Sequence, residues 1–228
     1  MKFDLHVHTV FGSSDSNLTV EQVISESNRI GLDGLCLTEH GGGWTSDKIS
    51  ESFKDSGLVV IPALEVNTEF GHVIAIGITS HLPGIHKIDV LRKVIDQHDG
   101  VLISAHPMRN FFNKPPYDSN LIFRDFDRRP DSILEIASHE LFDYVDFIEV
   151  TNGANTSEEN NLAFEIAQSL NKNGTGGSDA HSIQGIGKSV TVFDSKINDT
   201  ASLVKNLKLG NFYPAEGLNI GRLTPFTK

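Results

Sequence analysis

Cys36 is the only cysteine in 228 residues, so it has no intrachain disulfide partner and no second thiolate with which to build a sulfur-ligated metal site. Set in Gly34-Leu35-Cys36-Leu37, it reads as a buried strand residue. Basic residues are also scarce. Against 30 Asp and Glu stand 19 Lys and Arg, a formal charge of −11, which excludes a surface that coats nucleic acid by neutralising backbone phosphates. No apolar run approaches the roughly 18 residues needed to span a bilayer, so no membrane association is expected. The opening Met1-Lys2-Phe3-Asp4-Leu5-His6 lacks an apolar signal core, and a cytoplasmic location is the expectation. There is no internal repeat, low-complexity tract or interdomain linker, and the length suits one core, so a single domain over residues 1–228 is expected.

What the chain does contain is a regular alternation of short β-like runs and amphipathic stretches, the pattern of repeated βα units around a parallel sheet. Strands are predicted at Phe3–His8, Gly34–Thr38, Val59–Leu64, Val73–Ile78, Val101–Ala105, Phe147–Val150, Gly174–Ser178 and Val190–Phe193. Helices are predicted at Val20–Ile30, Ser46–Ser56, Val90–His98, Ser132–Phe142, Glu158–Asn171 and Thr200–Leu209, the first capped by Thr19 and stopped by Gly31. The alternation breaks after Glu65, where Val66–His72 reads as a β-hairpin turning near Glu69–Gly71. Pro107–Pro130, with four Phe, four Arg and the pair Pro115-Pro116, reads as a long irregular loop of the kind that forms lids or binding surfaces.

Ten histidines are present, and six are expected at or just beyond strand C-termini, the rim where loops of a parallel βα architecture assemble an active site. His6 and His8, two apart on a strand, project to the same side and can share an ion. Asp179 and His181 repeat the spacing. Any one such pair is ordinary sequence; the weight lies in the coincidence of Thr38-Glu39-His40, Ala63-Leu64-Glu65, Gly71-His72, His106-Pro107 and Gly177-Ser178-Asp179-Ala180-His181 at separate strand ends. His81, His86, His98 and His139 fall outside this pattern and read as surface residues, His98 favouring a helix end.

Taken in order, Asp4-Leu5-His6-Val7-His8-Thr9 with Ser14-Asp15, Thr38-Glu39-His40, Glu65 with Gly71-His72, His106-Pro107 and Gly177–His181 resemble the motifs of the polymerase-and-histidinol-phosphatase (PHP) family of metal-dependent phosphoesterases. The likeness runs to about Gly187. It implies an α/β fold, a distorted (βα)7 barrel with the active site at the strand C-terminal rim. It also implies three metal positions: His6, His8, Glu65 and Asp179 for the first ion, Glu65, His72 and His106 for the second with Glu65 bridging, and Asp15, His40 and His181 for the third. Some relatives have His where this chain has Asp15, and a loop Asp after two serines is also a common turn or cap residue, so the third position is the least defined.

Imidazole and carboxylate without thiolate suit manganese, zinc or iron, two or three divalent ions in all. Such ions activate water and polarise a phosphoryl oxygen. Arg109, just past His106-Pro107, is the candidate cation for a phosphate, ahead of Arg124, Arg128 and Arg129. His181 or His40 is the candidate proton donor to a leaving alkoxide if the third position is empty, and a metal-bound water if it is filled. Asn152, after the Phe147–Val150 run, is a candidate substrate contact. The expected partner is a small phosphorylated molecule, whose ring or base the aromatics of the long loop could stack on; the oligomeric state is not readable. Two other readings stay open: hydrolysis of a carbon–nitrogen or lactone bond, and a non-catalytic metal-binding regulatory module of the kind built into DNA polymerases.

Overall fold

The computed structural model describes residues 1–114, 117 and 119–227. Pro115-Pro116 of the long loop lie outside the described residues.

The elements follow in the order β1 (Lys2–Val7), α1 (Val20–Ile30), β2 (Gly34–Glu39), α2 (Ser46–Ser52), β3 (Val59–Thr68), β4 (Gly71–Ile76), α3 (Ile88–Gln97) and β5 (Val101–Ser104). They continue with α4 (Ile133–Ala137), α5 (Leu141–Tyr144), β6 (Phe147–Asn152), α6 (Ser157–Ser169), β7 (Gly174–Gly177), β8 (Ser189–Phe193), α7 (Thr200–Leu209), β9 (Phe212–Glu216) and β10 (Thr224–Pro225). The fold is mixed α/β: one ten-stranded sheet in the order β10-β9-β8-β1-β2-β3-β4-β5-β6-β7, curled in the manner of a distorted barrel. Beyond the end of β7, Val7 and Ala180 form a parallel bridge, with His8 N–H donating to Ala180 O at 3.0 Å. That bridge brings the first and seventh strands together at one rim.

The βα alternation is not carried around the whole sheet. β3 and β4 are antiparallel neighbours joined by a tight turn, so β4 runs against both β3 and β5. The turn is built locally: Thr68 Oγ1 accepts from Phe70 N–H and donates to Gly71 O, and Gly71 takes φ +104°, which a side chain would strain. The predicted hairpin is thus present, but β3 extends through Glu65 to Thr68 instead of ending before it.

α1 forms where expected because Thr19 and Gln22 make a reciprocal capping box and Gly31 closes the helix at φ +70°. The predicted single helix Ser132–Phe142 is two short helices instead. Ser138 Oγ donates to Glu135 O and His139 Nδ1 accepts from Leu141 N–H, so local side chains take hydrogen bonds that would continue the helix. β9 and β10 were not anticipated, since Pro214 interrupts the Phe212–Glu216 run as a strand pattern.

Alternate residues of β3, Ile61 and Ala63, pack with Ile74 and Ile76 of β4, Ala105, and Leu203 and Leu207 of α7. Glu65 continues the same strand face, so this apolar cluster underlies the carboxylate. The long loop after β5 is held by Asn120, whose Nδ2 donates to Pro107 O (2.7 Å) and Arg109 O (2.9 Å) while Oδ1 accepts from Ile122 and Phe123 N–H. Met108, Phe111 and Phe123 are buried in the main core, so Phe111 and Phe123 are structural rather than available to stack on a ligand. His139, expected at the surface, is half-buried among Phe70, Phe123 and Phe126. Among the described residues, no helix is long and apolar enough to cross a membrane.

Candidate metal centre

Nine predicted ligand side chains gather at one rim. His6 lies within β1 and His8 just beyond it; His40 follows β2, His106 follows β5, and Asp179 and His181 follow β7. Glu65 projects from within β3. His72 is the exception to the strand-end expectation, because it stands at the start of β4. The antiparallel run of β4 carries that start to the same rim, and the pairing of Asn67 with His72 puts His72 diagonal to Glu65 on one face.

Glu65 is the hub. Its Oε1 lies 2.9 Å from His72 Nδ1 and 2.8 Å from His106 Nε2, while Oε2 lies 3.4 Å from His6 Nε2 and 3.2 Å from His8 Nε2. Asp179 Oδ1 is 3.4 Å from His6 Nε2 and 3.3 Å from His8 Nε2. His6, His8, Glu65 and Asp179 therefore form one compact group, and Glu65, His72 and His106 a second sharing Glu65. A third group joins His8, His40 and His181. Asp15 stands on its open side, its Oδ2 at 3.3 Å from Nε2 of both His40 and His181.

Does this donor set fit a divalent ion? His6 Nε2, His8 Nε2 and Asp179 Oδ1 are fully buried yet have no hydrogen-bond partner among the described residues. Orphaned buried polar atoms are costly, and three converging on one point fit ligand atoms around a common cation. The distances of 3.2–3.4 Å from the two Nε2 atoms to Asp179 Oδ1 and Glu65 Oε2 also match neighbours around an ion about 2.1 Å away. His106 and Asp179 both take left-handed backbone, φ +31° and +52°, a strained state that a site can hold where surrounding structure enforces it.

The electrostatics follow the same grouping. Burial opposes a charge on His6, but the carboxylates of Asp179, Glu149 and Glu65 outweigh it and hold the imidazole well above its usual range. Burial likewise opposes ionisation of Glu65 and Asp179, and the surrounding imidazoles, His6 first, keep both well below the usual carboxylate range. His106 is pushed down by burial and by Arg109. Partial burial opposes the charge on Asp15, but His40 and His181 draw it down. Beneath the centre, burial pushes Asp4 up to about 6 against the N–H groups of Ser178 and Gly187 that it accepts from.

Arg109 comes to the centre, though not as a free cation. Its Nη2 lies 2.7 Å from Asp179 Oδ2 and donates to Asn152 Oδ1 at 2.8 Å, and Nε donates to Asn155 Oδ1 at 2.9 Å. Asn152 is buried behind it, which makes it a support for Arg109. Arg124 and Arg128 lie outside the cluster: Arg128 pairs with Glu135 and Arg124 donates to Glu69 O. Beside His72, His106 and Arg109 opens a cleft of about 290 Å³ that Asn110 and Leu121 also line.

Two buried carboxylates at the centre had no part in the expected ligand set. Glu149, in β6, touches His6 and His106; Glu39, ending β2, accepts from Thr9, Ser13 and Trp44 Nε1. The signal available for Glu149 was an acid inside an apolar strand, Phe147-Ile148-Glu149-Val150, because a charge there needs a buried partner.

Comparison with known proteins bears on the fold and the family. Half of the chain aligns with the error-prone DNA polymerase of Mycobacterium bovis, 28% identical over 122 residues, and with that of Mycobacterium tuberculosis to the same extent. The match spans only 10% of the length of those polymerases. Among solved structures, PsfC from Pseudomonas syringae is similar with a TM-score of 0.59 and 18% identity, covering 89% of this chain and 87% of its own. A protein of Bifidobacterium adolescentis assigned as a metal-dependent phosphoesterase gives 0.57 and 15%, covering 91% and 96%. An amidohydrolase from Chromobacterium violaceum with bound sulfate and no metal gives 0.54 and 16%, covering 79% and 88%. At these identities the likeness establishes the fold. The PHP domain model matches residues 4–154 and the PHP-associated model residues 157–212, and the chain belongs to the PHP family.

Proposed function

We propose that this chain is a metal-dependent hydrolase of phosphate esters, acting on a small phosphorylated metabolite or nucleotide. The observation that carries the reading is the convergence of His6 Nε2, His8 Nε2, Glu65 Oε2 and Asp179 Oδ1, three of them buried without any other partner. Divalent ions held there would supply an acidified water and a Lewis acid for the phosphoryl group. His6, His8, Glu65 and Asp179 would hold one, Glu65, His72 and His106 another, and His40 and His181 with Asp15 or His8 a third. We read the curled sheet as the distorted (βα)7 barrel of the family, and residues 1–228 as one catalytic domain.

The chain's own residues divide the remaining work. Arg109 offsets the charge of Asp179 and keeps a guanidinium edge beside the cleft, where it can meet a phosphoryl oxygen. Asn152 and Asn155 fix its plane. With the third position unfilled, His181 Nε2, beside Asp15 on the more open side, is suited to return a proton to the leaving alkoxide, with His40 as the alternative. The cleft of about 290 Å³ suits a compact substrate. The sulfate held by the amidohydrolase relative is a tetrahedral anion of the same shape as phosphate, which favours an anion-binding site on this fold.

The same fold's occurrence in an amidohydrolase supports one competing reading, hydrolysis of a carbon–nitrogen bond. Elemental analysis of the purified protein, followed by phosphate release from a panel of mono- and diesters with manganese, zinc and iron in turn, tests the proposal. Release from at least one ester is expected. A fully metal-loaded protein inactive on the whole panel and active on an amide or lactone would replace the phosphoesterase reading.

A further inference from the structure

His6 of β1 and His8 just beyond it present Nε2 to the same group of ligand atoms, and in each the other nitrogen, Nδ1, is engaged elsewhere. A neutral imidazole carries its hydrogen on one nitrogen and accepts on the other, so whatever binds Nδ1 decides whether Nε2 can ligate.

For His6 the Nδ1 partner is Glu149, 1% exposed and in none of the three ligand groups. Glu149 Oε1 lies 2.9 Å from His6 Nδ1. Its Oε2 accepts from His106 N–H at 2.7 Å and from Asn152 Nδ2 at 2.9 Å. Neither a backbone N–H nor an amide NH2 can accept, so the carboxylate serves as acceptor and Nδ1 of His6 carries the hydrogen. The Asn152 amide is oriented by the same contact, which turns its Oδ1 to Arg109. One side chain thereby fixes a nitrogen of the first group, the backbone of His106 in the second, and the support of Arg109.

For His8 the chain of hydrogen bonds is one step longer. Ser13 Oγ donates its single hydrogen to Glu39 Oε2 at 2.6 Å, so it can only accept from its other neighbours, His40 N–H at 3.1 Å and His8 Nδ1 at 3.0 Å. Nδ1 of His8 therefore carries its hydrogen as well.

We infer that Glu149, and Glu39 acting through Ser13, are positioning residues that set the tautomers of His6 and His8 so that both Nε2 atoms face the metal centre as lone pairs. Such outer carboxylates also raise the basicity of a ligating imidazole, and losing one typically costs about 10–100-fold in metal affinity. The inference uses the metal-binding reading of the site but not its phosphoesterase reading.

The test is Glu149→Gln. Two donors converge on the Oε2 side, so the glutamine oxygen settles there and its NH2 faces His6 Nδ1. That nitrogen must then accept, which moves the hydrogen to Nε2. In metal-free protein labelled with 15N-histidine and held at a pH high enough to deprotonate the His6 ring, NMR should report the Nδ1–H tautomer for His6 in the parent and the Nε2–H tautomer in the variant. Manganese titration should show a loss of about 10–100-fold in affinity, partly recovered in Glu149→Asp, which keeps an acceptor. Ser13→Ala should weaken manganese binding while leaving the His6 tautomer unchanged, and it decides the matter if Glu149→Gln does not fold. Parent-like tautomers together with parent-like manganese affinity in the folded variants would overturn the inference. A parent that binds no manganese would instead remove the metal reading of the site, while the tautomer measurement would still judge the positioning role.

Discussion

Arg109 Nη2 lies 2.7 Å from Asp179 Oδ2, so the guanidinium beside the cleft is bound to the carboxylate whose other oxygen faces His6 and His8. Removing it should leave the metal ligands in place and take away a charged partner for phosphate. Arg109→Ala is expected to raise KM for a phosphate ester at least about tenfold, given roughly 1.5–3 kcal/mol for a hydrogen bond to a charged group. A neutral ester should be nearly unaffected. Steady-state kinetics on matched charged and neutral substrates checks this, and an unchanged phosphate KM would remove Arg109 from substrate binding.

Glu65 presents one oxygen to His72 and His106 and the other to His6 and His8. Glu65→Ala should therefore deplete metal from both groups at once, whereas His72→Ala should deplete the second alone. Elemental analysis after equal metal loading distinguishes them. Equal occupancy in the two variants would rule out a bridging role.

Metal removal should lower stability, because a ligand that binds only the folded state stabilises it by about 2.7 kcal/mol at a hundredfold excess over Kd. For a chain of this size that corresponds to a fall in Tm of about 5–10 °C on adding a chelator. Scanning calorimetry with and without chelator reads it directly, and matching transitions would argue against an ion in the folded state.

The same site fixes the sign of two pH dependences. His6 has its folded-state pKa raised by the carboxylates around it, so in metal-free protein its contribution to stability is full below the unfolded value of about 6.5. That contribution is lost as pH rises through the folded value. Metal needs the neutral ring, so binding must displace the proton and affinity should rise over the same window. Chelated protein should thus lose Tm with rising pH above about 6.5 while manganese affinity increases and titration releases protons. Slopes of the same sign would contradict the assignment.

Gly177 gives a test that touches no ligand. A Cβ there would lie 2.6 Å from both His6 Cβ and Glu149 Oε1, an overlap that only backbone movement could relieve. Gly177→Ala should cost about 1–3 kcal/mol of stability and weaken manganese binding by separating the His6–Glu149 pair. Denaturant unfolding and metal titration together check it; a fall in stability with intact affinity would show the pair to be tolerant of displacement.

How much of this could be read from the chain follows the range of the interactions. His6 and His8 stand two apart at the end of β1, and Asp179 and His181 two apart just after β7, so local spacing exposed them. Glu149 and Glu39 did not stand out because the contacts that tie them to the centre, Glu149 to His6 and Glu39 to Ser13, run across 143 and 26 residues and neither belongs to a ligand group. His72 was found through its motif although the strand-end argument for it fails, since β4 runs in reverse. The break between α4 and α5 depends on Ser138 and His139 side chains, which a periodicity of apolar residues does not register. Arg109 was found, but its pairing with Asp179 and Asn152 is a matter of tertiary contact.

The turn between β3 and β4 acts as a spacer gauge for the whole centre. Glu65 and His72 stand at the correct diagonal only while Asn67 faces His72 and Thr68 faces Gly71. A single residue added or removed among 69–71 would slide one strand past the other and send His72 to the opposite side of the sheet. The length of one tight turn thus decides whether His72 reaches Glu65 and His106 at all, and on the proposed metal reading variation there would dismantle the second group with every one of its residues still in the sequence.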